Sequence, residues 1–227
     1  MMKVLHAAFN HPSVRTFAQI CAQREGEEHV WLIHAESEHR AEEFRSFWKD
    51  FNSEVIVGGV LPNASVLQAN WSLAVCHNAF HPVITWIEAL EHPGHITWVA
   101  WGADYYQSYP SLQKGLFLSY TRGVNVAILK VFYRYQRSRL ATLLSPKLAS
   151  SLEQRRRFIA SASSCSTLLG DALPCLPFMA SDVRLLASWY NTIPPDLLAI
   201  EPAKRRAGIL FGNSGLNTGN HLDGLVR

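Results

Sequence analysis

Short apolar runs alternate with segments of helical period along this chain, and that alternation restricts its possible folds more than any single motif does. Lys3–Ala8 reads as a first buried strand, followed by a His/Pro turn and a helical Val14–Gln23. Val30–His34 reads as a second strand. Ala41–Phe51 reads as a helix with Phe44, Phe47, Trp48 and Phe51 at i, i+3, i+4, i+7. Val55–Val57 is a third strand, closed by Gly58 and Gly59. Ser65–Val75 fits neither period cleanly. Pro82–Leu90 reads as a helix opened by its proline, and His95–Trp101 as a strand before Gly102-Ala103-Asp104. Further on, Leu116–Leu144 holds one or two helices, Phe158–Ser161 a strand, and Ser181–Trp189 a helix with Asp182 early. Pro194, Pro195 and Pro202 mark Asn191–Pro202 as a linker, after which Ala207–Phe211 starts a new strand. This order predicts an α/β fold, a Rossmann-like doubly wound parallel sheet whose ligands sit at the carboxyl ends of the strands. The boundaries expected are a first domain over 1–190, a linker over 191–206, and the opening of a second domain over 207–227. One strand and a partial helix bury too little to stand alone, so the chain is expected to be a piece of a longer protein.

With 48% hydrophobic and 17% charged residues, the chain is too apolar for disorder. No segment approaches the about 18 uninterrupted apolar residues of a membrane span. At the N-terminus, His11 and Pro12 arrive before any signal-type apolar run develops. Cys21, Cys76, Cys165 and Cys175 are scattered without a C-x-x-C pair, which suits buried free thiols. The net charge of +3 conceals an asymmetry. Nine basic residues and one acid, Glu153, lie between Arg122 and Arg157, a local +8 that leaves −5 for the remainder. The segment around Lys130, Arg134, Arg137 and Arg139 also carries Phe132, Tyr133 and Tyr135. A solvated helix face and contact with anionic lipid headgroups are both open to it. Nucleic acid is the weaker option, because the remainder of the chain is acidic.

Four post-strand loops carry candidate chemistry. Asp104 follows a buried strand, with Trp101, Tyr105 and Tyr106 beside it. It suits a general base on a sugar hydroxyl, a hydrogen-bond anchor or a helix cap, and the aromatics offer a platform for a sugar ring. His77 and His81 are four apart, but Asn78 stands where H-E-x-x-H needs Glu and Pro82 interrupts a helix. Metal binding is therefore not expected there, and His77 reads as an active-site or ordinary loop histidine. His11 lies in the loop after the first strand and suits a base, a phosphate contact or a turn residue. Gly212, Asn213, Ser214 and Gly215 form a strand-to-helix turn able to offer backbone N–H groups to phosphate. That turn lacks G-x-G-x-x-G, a Walker lysine and a G-x-S-x-G elbow.

Taken together, three segments carry a resemblance. Trp98–Tyr105, W-V-A-W-G-A-D-Y, is similar to the W-x-x-W-G-A-D-[LY] segment of the bacterial 4-acetamido-4,6-dideoxygalactosyltransferases of enterobacterial common antigen synthesis, also labelled 4-alpha-L-fucosyltransferases. Ile209–Leu225 resembles that family's I-L-x-G-N-S-G-x-x-S-N-x-H-x-x-A-L, departing from it at Gly219, and His77–Pro82 resembles its H-G-Q-F-N-P. The resemblance implies the N-terminal, acceptor-side domain of a GT-B glycosyltransferase. Such an enzyme moves a Fuc4NAc-like amino-deoxysugar from a dTDP-sugar to an undecaprenyl-pyrophosphate-linked saccharide at the cytoplasmic face of the inner membrane, as a peripheral protein. It implies acceptor binding or base work for Asp104, His77 and His11, sugar contact for Trp101 and Tyr105, and donor phosphate contact for Gly212, Asn213, Ser214 and Gly215. Lys130, Arg134, Arg137 and Arg139 would face the bilayer and the lipid pyrophosphate. No cofactor, metal or nucleic acid is implied, and this chain alone is expected to turn over little. Two alternatives stay open: a non-catalytic module binding lipid-linked sugar or a partner, and another Rossmann-like nucleotide-binding enzyme.

Overall fold

A computed structural model describes residues 1–100, 104, 108, 146–167 and 177–187. The chain divides into two compact units, Met1–Ser108 with Glu153–Asn191, and Tyr109–Leu152 with Thr192–Arg227. The first contains a seven-stranded, wholly parallel sheet: β1 Met2–Phe9, β2 Glu27–Ala35, β3 Ser53–Val57, β4 Leu73–His77, β5 His95–Val99, β6 Ser164–Thr167 and β7 Arg184–Ala187. Their order across the sheet is β3-β2-β1-β4-β5-β6-β7. This is compatible with a Rossmann-like doubly wound sheet, extended by one edge strand. The helices delimited among the described residues are α1 Pro12–Cys21, α2 Glu38–Trp48, the single turn α3 Ala64–Leu67, α4 Val83–Glu88 and α5 Pro146–Ser161. None of the helices among the described residues is long and apolar enough to cross a membrane.

The starts of α1, α2 and α4 have local markers. His11 caps α1 through Nδ1, which accepts from the Ser13 N–H, and Pro12 takes the first turn, where no N–H is needed. Ser37 caps α2, its Oγ accepting from the Arg40 N–H, with Glu38 in the first turn. Pro82 precedes α4, and the His81–Pro82 peptide is cis.

The pleat sorts the strands' side chains onto two faces. Register puts His6 of β1 beside Trp31 of β2 and Val75 of β4 on one face. There Ala8, Val14, Ala18, Cys21, Trp31, Ile33 and Trp48 form a buried cluster, with Phe17, Phe44, Phe47 and Phe51 packed on it. The aromatic stripe expected on the second helix is thus the side of α2 that meets the sheet. Cys21 and Cys76 are buried free thiols, as their spacing suggested; Cys165 is buried too, and Cys175 lies outside the described residues.

Two expectations are corrected. Phe158–Ser161 is not a strand but the last turn of α5. Arg155, Phe158, Ile159 and Ala162 are all buried, at the i, i+3, i+4, i+7 spacing of one helix face. Ser181–Trp189 is not a helix, because Arg184–Ala187 pairs with β6 as the edge strand β7. Its Leu185 and Leu186 are 36% and 42% exposed, so helix-favouring leucines sit where only backbone pairing decides. The mixed Ser65–Val75 segment contains the end of α3 and the start of β4. The helices expected over Leu116–Leu144, the linker and the strand at Ala207–Phe211 lie outside the described residues.

Candidate functional site

In a doubly wound sheet the crevice opens where the chain's direction of travel across the sheet reverses, here between β1 and β4. Two loops flank that point: Asn10–His11, leaving β1, and Asn78–Pro82, leaving β4. Asn10 is held as an anchor, its Oδ1 accepting from Arg15 Nε at 2.9 Å and Trp48 Nε1 at 3.0 Å. His11 is exposed, and partial burial of its ring lowers its pKa. Of the three residues expected to bind acceptor or act as base, it alone is open to solvent.

Asp104 is fully buried. Its Oδ2 accepts from the Ala79 N–H at 2.9 Å and from Trp98 Nε1 at 2.9 Å. Ser108 Oγ donates to the Asp104 carbonyl at 2.5 Å. The geometry is that of a hydrogen-bond anchor, which joins the loop after β4 to the segment after β5. The next residue along the first loop, Phe80, lies under the Arg155 guanidinium at 4.1 Å from the ring centroid. Arg155 is 6% exposed; burial lowers its pKa and the Asp104 carboxylate opposes that shift. This arginine, counted in sequence with the basic stretch, is a buried charge beside the candidate crevice. Gln154 Nε2 donates to Thr85 Oγ1 and Glu88 Oε2, which ties α5 to α4.

Asn78 takes a φ of 76°, a conformation uncommon outside glycine and often found at functional turns. Its buried Oδ1 has no hydrogen-bond partner among the described residues, nor does the buried Nδ1 of His34 at the end of β2. Burial lowers the His34 pKa, Glu36 raises it and His81 lowers it.

His77 is not in the loop but is the last residue of β4, and it is fully buried. Burial pushes its pKa down to about 3. Its Nε2 bonds His6 Nδ1 at 3.0 Å, His6 Nε2 bonds His29 Nδ1 at 3.0 Å, and His29 Nε2 bonds Glu27 Oε2 at 2.9 Å. Trp31 stacks on His6 with centroids 3.9 Å apart and planes 8° apart. The direction of this chain follows from its end. The Glu27 carboxylate accepts, so His29 donates from Nε2 and accepts at Nδ1; His6 then donates from Nε2, and His77 donates to His6. Burial holds the His6 pKa well below its ordinary value, with His77 and His29 adding to the effect. Sequence reading missed His6, His29, His34 and Arg155. Same-face placement of His6 and His29 on neighbouring strands was a usable signal for the first two; nothing local marked Arg155.

Trp101, Tyr105, Gly212, Asn213, Ser214, Gly215, Lys130, Arg134, Arg137 and Arg139 lie outside the described residues. Comparison with known proteins finds no matching family model, no matching curated protein and no matching solved structure.

Proposed function

We propose that this chain provides the acceptor-side domain of a GT-B glycosyltransferase. Its reaction moves an amino-deoxysugar of the Fuc4NAc type from a dTDP-sugar to an undecaprenyl-pyrophosphate-linked saccharide. The work takes place at the cytoplasmic face of the bacterial inner membrane. One observation carries the reading: the segments His77–Pro82 and Trp98–Asp104, which bear the resemblance in sequence, meet through Asp104 beside the switch point of the sheet. On this reading Asp104 and His77 are positioning residues, since both are fully buried. His11 is the residue able to reach an acceptor hydroxyl or a pyrophosphate oxygen. Arg155 supplies positive charge next to the crevice, and Gly212–Gly215 would meet donor phosphate.

The test is binding of a short-chain prenyl-pyrophosphate saccharide to the full chain, followed by calorimetry. Saturable binding is expected, weakened roughly tenfold or more in His11→Ala, as loss of one hydrogen bond to a charged group implies. Stabilisation by NAD, with no response to the prenyl-pyrophosphate saccharide, would replace this reading with that of another nucleotide-binding enzyme.

A further inference from the structure

We propose that His6, Cys21 and His29 form a binding site for a single thiophilic divalent metal ion of the zinc type. The site lies across the sheet face under α1 and is independent of the sugar-transfer reading, and its residues have no recognised ligand spacing in the sequence.

Three elements converge there: β1 brings His6, the end of α1 brings Cys21 and β2 brings His29. One ligand atom from each lies within 4.8 Å of the other two. His6 Nε2 and His29 Nδ1 are 3.0 Å apart. Tetrahedral zinc, with bonds of about 2.0–2.1 Å to nitrogen and about 2.3 Å to sulfur, places two nitrogens about 3.3 Å apart and nitrogen and sulfur about 3.5 Å apart. Side-chain adjustments on the order of 1 Å therefore convert the cluster into a coordination shell. Two imidazoles and a thiolate select zinc-type ions over magnesium or calcium.

The surroundings also suit a metal. Metal-bound histidines usually have their second nitrogen held by a carboxylate or another polar group, which orients the ring. Both histidines meet that condition: His29 through Glu27 at 2.9 Å, His6 through His77 at 3.0 Å. Cys21, Glu27 and His29 also line a cavity of about 170 Å³, shared with Arg24, Trp31 and Asp50. It provides a path for the ion and room for water or a small anion as fourth ligand.

The protons balance. His29 already presents an unprotonated Nδ1. His6 must give up the proton on Nε2 and take one at Nδ1 from His77 Nε2, and the proton released by His6 is made good at the other nitrogen of His77. The histidines thus shift tautomer without net loss. Cys21 loses its thiol proton, so one proton leaves per ion bound. Burial pushes the Cys21 thiol up to about 12, Arg24 favours the thiolate and Glu27 opposes it, so the bound cation itself must drive the deprotonation. Asp50 faces the same cavity.

The test is a cobalt(II) titration of the full chain, followed by visible absorption and mass spectrometry of metal content. The expected result is one ion per chain, with tetrahedral d–d bands and a thiolate-to-cobalt charge-transfer band, all displaced by zinc. Cys21→Ser should lose the charge-transfer band. Glu27→Gln, which removes no ligand, should weaken binding roughly 10- to 100-fold with an unchanged circular dichroism spectrum. Absence of the charge-transfer band in the unmodified protein, its persistence in Cys21→Ser, or unchanged affinity in Glu27→Gln overturns the proposal.

Discussion

Replacing Asp104 with alanine removes, in one step, the acceptor of two buried N–H groups. The Ala79 amide and the Trp98 indole both donate to Asp104 Oδ2 at 2.9 Å, and Trp98 and Ala79 are themselves fully buried. Each orphaned donor costs about 1–3 kcal/mol, so Asp104→Ala should lose about 2–6 kcal/mol of stability. Asn keeps an oxygen able to accept both bonds and loses the negative charge facing Arg155, so Asp104→Asn should fall between the alanine variant and the unmodified protein. Urea unfolding followed by tryptophan fluorescence measures both. An Asp104→Ala midpoint that moves by less than about 0.5 kcal/mol, the range of ordinary surface substitutions, would show that the two bonds do not anchor these loops.

Acid should also weaken the fold. His6 and His77 are depressed by burial, His77 to about 3, whereas histidine in the unfolded chain titrates near 6.5. The unfolded state therefore binds more protons below that value. The stability these histidines contribute is complete above about pH 6.5 and drains as pH falls, for His77 down towards about 3 at roughly 1 kcal/mol per pH unit. Urea midpoints at pH 7.5, 6 and 5 test this, and a flat profile would refute a neutral buried chain. At Gly94, φ is +61° and an added Cβ would lie 2.7 Å from the Ser72 carbonyl oxygen and closer still to that of Trp71. Gly94→Ala should cost the about 1–3 kcal/mol of an unfavourable backbone plus backbone overlap, whereas Gly26→Ala, at φ +80° with open space, should cost only the first part. Equal unfolding midpoints for these two variants would refute the steric account.

The sequence by itself determined the parallel α/β architecture, because period and length are local properties. Continuous apolar runs such as Val30–His34 lie within the strands found, and the Phe44–Phe51 stripe announced its own burial. Where local signals were weak, tertiary structure decided. Ser164, Cys165 and Ser166 form a buried strand with little apolar character because β5 offers them ladder bonds, and Thr97 and Ser164 share a hydroxyl bond at 2.7 Å. The residues of the site were only partly legible for the same reason. His11 and the loops after β1 and β4 could be placed from strand ends alone. That Asp104 would be a buried anchor, that Arg155 would lie over Phe80, and that Glu27, His29, His6 and His77 would form one chain depended on contacts across separations of 23 to 71 residues in the histidine pairs. No periodicity encodes such meetings. They follow from register, since pairing His6 with Trp31 and Val75 puts three histidines of three strands on one face, under the helix that carries Cys21.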